Sequence, residues 1–252
     1  MRAKRTVTVL SSDIRPALPN ETIRFTHKNR KNMKPEYKPF VDELIELCIR
    51  EDIGDGDHTA HTKAGELNIT VRGGTVWMDM APPQLIGDIP AAERTALYAA
   101  YGLTEADCPE GYIPRMVSTG LADIMMPVRD HETLMRAVQN APVVTELSRK
   151  YDVTGVHMFC LGDDTCTAWC SNFAPLYDIP EECATGTSNG ALTYYLYRYG
   201  LVQPDRENVF IQGEHMRRSS EIRSRLMVEK GDALIRVGGR AVLSLSGEIY
   251  AD

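Results

Sequence analysis

The chain has 252 residues, 43% hydrophobic and 25% charged, with a net charge of −7; this is the balance of a folded domain or two and excludes an intrinsically disordered chain. It holds no apolar run near the ~20 residues that a membrane-crossing helix needs. The apolar stretch within Met1–Leu10 is too short for a secretory signal, so the six cysteines are expected to be cytoplasmic, reduced thiols rather than a disulfide framework.

Taken in chain order, residues 1–35 read as a basic, irregular arm. Residues 1–38 carry ten Lys or Arg against three acids, Asp13, Glu21 and Glu36. The arm lacks the interleaved aromatics or zinc spacing of a nucleic-acid module, so solvated loops are expected and neither nucleic acid nor membrane is expected as a partner. Phe40, Leu44, Leu47 and Cys48 form the stripe of a helix at about 36–50. After a turn at Gly54-Asp-Gly, strands at about 66–72 and 75–80 flank Gly73-Gly74, a hairpin signal. Ala81-Pro-Pro83 should end this sheet segment. A helix at about 90–101 stops at Gly102, and residues 104–114, rich in Pro, Gly and acids, read as a linker between halves.

Beyond it the pattern predicts a strand at 123–129, a helix at 130–139 and strands at 154–160 and 165–173. A helix at 187–199 follows, with Leu192, Tyr195, Leu196 and Tyr199 on one face and Gly200 as its stop. Strands at 207–213, 232–237 and 240–246 close the series. This mixture is that of an α+β fold.

Two groupings resemble metal ligands. His157, Cys160, Cys166 and Cys170 lack the paired short spacings of structural zinc sites, and Cys166, Ala168 and Cys170 alternating with Thr167, Trp169 and Ser171 read as a two-faced strand. Asp57-His58-x-x-His61 can bind a metal, but in its Gly-Asp-Gly-Asp setting it reads as a polar turn. No metal is expected.

The richest stretch is Glu181-Glu-Cys-Ala-Thr-Gly-Thr-Ser-Asn-Gly-Ala-Leu192, which sets a carboxylate, a thiol and a Gly-Thr-Ser turn ahead of the helix. First-turn N–H groups and the helix dipole favour an anion there. Thr185, Thr187 and Ser188 are competent caps, Gly186 allows close approach, and the same field favours a Cys183 thiolate. The bland alternative is a simple helix cap, with Cys183 as filler.

Further segments accompany it: Val117-Ser-Thr-Gly-Leu121, Ile124-Met-Met-Pro-Val128, Asn172-Phe-Ala-Pro175, Gln212-Gly-Glu-His215, Val237-Gly-Gly239 and Gly247-Glu-Ile249. In this order the series resembles the PhzF-like family of phenazine-biosynthesis isomerases, over about residues 63–250. The resemblance implies a diaminopimelate epimerase-like fold of two curled-sheet domains, each around a central helix. The domains would be a partial N-terminal one at 36–110 and a C-terminal one at 111–252. It also implies cofactor-independent proton transfer on a small carboxylate-bearing metabolite, with Glu182 on the family's active-site aspartate and Thr185, Gly186, Thr187 and Ser188 holding substrate. Glu182-Cys183 stand where the family has Asp-Pro, and Thr187-Ser188 where it has Ser-Ala. Cys183-Ala-Thr-Gly-Thr-Ser is also similar to the turn of thiol-dependent epimerases and racemases of this fold. The family's first-half motifs, including its general-base glutamate, are not found in residues 1–62. Three readings stay open: a PhzF-type isomerase, a thiol-dependent racemase or epimerase using Cys183, and a catalytically silent binding or assembly protein. A first domain lacking its opening strands must cover its apolar face otherwise, so a homodimer is expected.

Overall fold

The computed structural model describes residues 4–11, 25–26, 56–62, 65–240 and 242–250. The expected helix at 36–50 lies outside the described residues. The chain divides into two compact units, the smaller taking in Met1–His58, Thr70–Val76 and Arg240–Asp252, the larger Thr59–Ile69 and Trp77–Gly239.

In the smaller unit the first correction appears. Part of the arm read as irregular is strand: β1 (Lys4–Ser11) runs antiparallel to β15 (Val242–Tyr250), with an irregularity between Val9 and Leu10, and β2 (Phe25–Thr26) lies parallel to β15. The run Thr-Val-Thr-Val is rich in β-branched residues, which suit a pleated strand. Here charge composition misled and local propensity did not. A second correction is β3 (Gly56–Thr62), a strand where a polar turn was expected. Asp57 accepts a hydrogen bond from Thr70 Oγ1 at 2.9 Å and pairs with Arg72 at 3.1 Å. Its carboxylate thus ties β3 to the neighbouring strand β4 (Gly65–Arg72). The turn between β4 and β5 (Thr75–Asp79) is the expected one, with Gly73 and Gly74 both at positive φ.

The larger unit adds β6 (Gln84–Asp88), β7 (Arg115–Ser118), β8 (Ala122–Pro127), β9 (Gly155–Leu161), β10 (Ala168–Ala174), β11 (Ile179–Glu182), β12 (Glu207–Gln212), β13 (Ser220–Glu229) and β14 (Asp232–Arg240). Its helices are α1 (Ala91–Ala99), α2 (His131–Met135), α3 (Ala141–Tyr151) and α4 (Gly186–Arg198). The strand order is β3-β4-β5-β14-β13-β12-β10-β9-β8-β7-β6, with β11 added to β10. Most neighbours whose register is defined are antiparallel, but β8–β9 and β10–β12 are parallel. Parallel neighbours require a crossover. One crossover carries α2 and α3, the other α4, and they occupy opposite faces of the sheet.

Alternation along the strands therefore builds two cores. Ile124, Met126, Val156, Met158, Cys160 and Phe173 pack with Leu97 and Tyr98 of α1, Leu134 of α2 and Val144 of α3. Met125, Phe159, Ala168, Cys170 and Phe210 face inward onto Ala191, Leu192, Tyr195 and Leu196 of α4. The inner face also shapes the sheet. Helix α4 touches β7, β8 and β13, and β7 and β13 lie five strand spacings apart, about 24 Å in a flat sheet. A helix is only about 10–12 Å across, so the sheet must curl around it. Accordingly Ser188 to Thr193, Tyr195 and Leu196 are all buried, and each large apolar side chain among them contributes about 2 kcal/mol. This is the α+β, epimerase-like arrangement of a curled sheet around a central helix.

Several boundaries differ from expectation. The helix at 130–139 is the short α2, capped by Asp130, and a second helix, α3, begins after Asn140. Pro142 in its first turn looks like a break in sequence, but Pro is tolerated where the N–H has no helical partner. Strands β6, β7 and β13 were not expected, and residues 104–114 hold a 3-10 turn at Glu105–Asp107 inside the larger unit.

Candidate functional site

The scattered motifs converge on the start of α4. Thr185 is its N-cap, but its side chain makes no cap bond. Instead Thr185 Oγ1 donates to Glu182 Oε2 at 2.7 Å and accepts from Gln212 Nε2 at 2.9 Å. Gln212, the last residue of β12, also donates to the Glu182 carbonyl at 2.7 Å, while its Oε1 accepts from Asn189 Nδ2 at 2.7 Å and Thr185 N at 3.3 Å. Thr119 Oγ1, from the Ser-Thr-Gly segment, donates to the Thr187 carbonyl at 2.8 Å.

The motif glycines are explained by crowding. A Cβ at Gly190 would stand 3.1 Å from Thr119 Oγ1 and 3.3 Å from Val237, and one at Gly186 3.3 Å from Val237. At Gly213, φ is +92° and a Cβ would fall 2.5 Å from the Arg218 carbonyl and 2.9 Å from Cys183. A Cβ at Gly238 would meet the Trp77 ring at 2.6 Å. The segments at 117–121, 212–213 and 237–238 are thus walls pressed against one turn.

Behind the turn lies a second polar group, buried throughout. Ser188 Oγ donates to Asp123 Oδ2 and accepts from Asn172 Nδ2 at 3.0 Å, and the same amide group lies 3.1 Å from His157 Nδ1. Asn172 has only hydrogens to offer on that nitrogen, so Nδ1 accepts and the neutral ring carries its proton on Nε2. Burial drives both titrations. The Asp123 carboxyl is pushed up to about 6, opposed by the Ser188 and Gly155 donors and aided by the charge of Glu182. The His157 imidazole is pushed down to about 4. A third contact lies to one side: His215 Nδ1 is 3.3 Å from Glu181 and 3.0 Å from Ser171 Oγ, and the Glu181 carboxylate raises its pKa.

Glu182, Thr185, Gly186 and Thr187 are partly exposed at the rim, whereas Ser188 is buried and engaged with Asp123. Cys183 is 7% exposed and its Cα and Cβ pack against Gly213. His157 and Cys160 point to opposite faces of β9, and among the described residues no group of three His, Cys, Asp or Glu is placed to hold a metal ion. Gln212 and Asn172 lay within motifs noted in the sequence and Asp123 between two of them, but nothing local marked them as site residues. Their partners lie 15 to 65 positions away. Surface hollows of about 460 and 690 Å³ lie elsewhere, one by the 161–167 loop and the end of α4, the other beside Tyr194, Tyr197 and Pro82-Pro83.

A curled sheet around a buried helix, with a carboxylate and a glycine-rich turn at the helix start, defines an epimerase-like α+β protein. The fold is that of a PhzF-family protein from Bacillus anthracis (TM-score 0.69, 21% identity, 84% of this chain and 73% of that one) and of a predicted epimerase from Pseudomonas aeruginosa (TM-score 0.62, 25% identity, 84% and 72%). The family model for phenazine biosynthesis-like proteins, PhzC-PhzF, matches residues 44–247, and the chain belongs to that family. It is 27% identical over 168 residues to an uncharacterized isomerase of Clostridium acetobutylicum, covering 64% of this chain and 55% of that protein. The chain spans about half the length of the curated relatives it matches.

Proposed function

We propose that this chain is an isomerase of the PhzF type, moving a proton at a carbon beside a carboxylate without metal or organic cofactor. The observation that carries this reading is the Glu182 carboxylate, held by Thr185 Oγ1 at 2.7 Å at the rim of the α4 start. The first-turn N–H groups of a helix have no intrahelical carbonyl to bond, so they suit a substrate carboxylate and the negative charge that develops next to it. In this reading Thr185, Gly186 and Thr187 form the seat for a small carboxylate-bearing metabolite, Ser188, its side chain buried against Asp123, backs that seat from within, and Glu182 removes and returns the proton. Family membership and the resemblance to curated isomerases support the reaction class. A homodimer belongs to the same reading and is tested by light scattering.

The test is deuterium incorporation from D2O into a panel of 2-hydroxy and 2-amino carboxylic acids, followed by proton NMR. Glu182→Gln should lower the rate by about 100-fold or more. Cys183→Ser should leave it nearly unchanged, because that thiol is buried against Gly213; loss of exchange in this variant instead establishes the thiol-dependent reaction. The second reading, a silent binding protein, draws on residues 1–62, where the family's first-half motifs are not found. It prevails if no acid exchanges while a carboxylate still binds at residues 185–189.

A further inference from the structure

We propose that Gln212 is a positioning residue that fixes the direction of the Thr185 hydroxyl and, through it, the carboxylate of Glu182. The inference rests on the reading of Glu182 as the proton-transfer group. Gln212 is wholly buried, and its amide has a partner for each of its hydrogens and two for its oxygen. Its orientation is set by those partners. Turned over, the amide would point N–H groups at the Thr185 N–H and the Asn189 NH2 while bringing its oxygen against the Glu182 carbonyl. With Nε2 placed as observed, Thr185 Oγ1 must accept from it. A hydroxyl that accepts there has one hydrogen left to give, and Glu182 Oε2 at 2.7 Å receives it. The donors thus run in one sense, from Gln212 to Thr185 to Glu182.

The same amide grips the Glu182 backbone carbonyl at 2.7 Å, so both ends of the glutamate hang from one strand-borne group. That strand is rigidly placed. Gln212 stands opposite Cys170 of β10 and Ser220 of β13, and the chain turns away immediately afterwards at Gly213. Helix capping alone does not require this arrangement, since the Thr185 side chain is diverted from the helix N–H groups to the carboxylate.

The variants Gln212→Met, Thr185→Val and Thr185→Ser test the proposal by two readouts. In the deuterium-exchange assay, Gln212→Met and Thr185→Val should each lower kcat by about 100-fold with KM little changed, because the reacting group is misplaced while the first-turn N–H groups that seat the substrate remain. Thr185→Ser, which keeps the hydroxyl, should stay within a few-fold of the parent. Unchanged kcat in both Gln212→Met and Thr185→Val overturns the proposal. The second readout needs no activity: three-bond couplings of the Glu182 side chain in solution NMR. A single rotamer in the parent and in Thr185→Ser, with averaging in Thr185→Val, supports the device even if no acid exchanges and the isomerase reading fails. Identical couplings in the parent and Thr185→Val overturn it. Thr185→Val keeps the buried Gln212 and so covers the case in which Gln212→Met fails to fold.

Discussion

Asp123 and Glu182 are two carboxylates that each accept a hydroxyl hydrogen bond from the same turn, Asp123 from Ser188 and Glu182 from Thr185. Residues 185 and 188 are three positions apart, yet one points into the curled sheet and the other to the rim. Asp123 is 2% exposed and its pKa is raised; Glu182 remains partly open to solvent. Identical local chemistry therefore serves two ends. Buried, it couples protonation to the stability of the fold; at the rim, it holds a group where a ligand can reach it.

The comparison can be broken most severely at its shared wall. Gly213→Ala places a Cβ against the Arg218 carbonyl and Cys183 at a φ of +92°. Strain and overpacking together should cost about 4 kcal/mol, read as a large fall in the denaturation midpoint.

The inner pair can then be separated by pH. The Asp123 pKa is raised from 3.8 to about 6 in the fold, so the folded state holds the proton more tightly, and stability is lost as pH rises from about 4 to 6. His157 is lowered from 6.5 to about 4; the unfolded state then holds the proton more tightly, and stability is lost as pH falls from about 6.5 to 4. Each effect is worth about 3 kcal/mol at its limit, and over the shared window they oppose. As far as these two groups are concerned, the parent should show little net slope between pH 4 and 6. Asp123→Asn should gain stability with rising pH over that interval, and His157→Gln should lose it. Chemical denaturation at half-unit pH steps checks both signs, and parallel slopes in the two variants would falsify the assignment.

A smaller effect sharpens the contrast. Ser188→Ala deprives the buried carboxylate of its hydroxyl donor and should cost about 2 kcal/mol at pH 7, where Asp123 is ionised. The loss should shrink at pH 5, where the carboxyl is largely protonated. Smallest of all in stability is Thr185→Val, about 1 kcal/mol, because Glu182 stays partly exposed and the buried Gln212 amide keeps its bond to the Glu182 carbonyl. Near-equal costs for Ser188→Ala and Thr185→Val would erase the distinction between core and rim.

Much of this architecture was legible in the sequence, and the illegible parts share a cause. Helix α4 announced itself through Leu192, Tyr195, Leu196 and Tyr199, and the β4–β5 turn through Gly73-Gly74, because both signals are local. Strand β13 was missed because Arg223 and Arg225 give it a charged look. Those guanidinium groups are answered by Glu207 on β12, which no local window contains. Helix α3 was hidden behind Pro142. At the site, Glu182 and the 185–188 turn were visible as a contiguous motif. The Asp123–Ser188–Asn172–His157 group was not, since its members come from three paired strands and the helix packed on them.

The curl of the sheet has a kinetic consequence. Helix α4 owes its burial to β7 and β8 on one side and β13 on the other, segments separated by about a hundred positions in the chain, so it cannot be completed by any local stretch. Contacts of such high sequence separation form late and slowly. The amides of residues 190–196 should consequently exchange with solvent only when the whole larger unit opens. The turn at 182–188 inherits that coupling: during synthesis, no partial chain ending before β13 can present it in finished form.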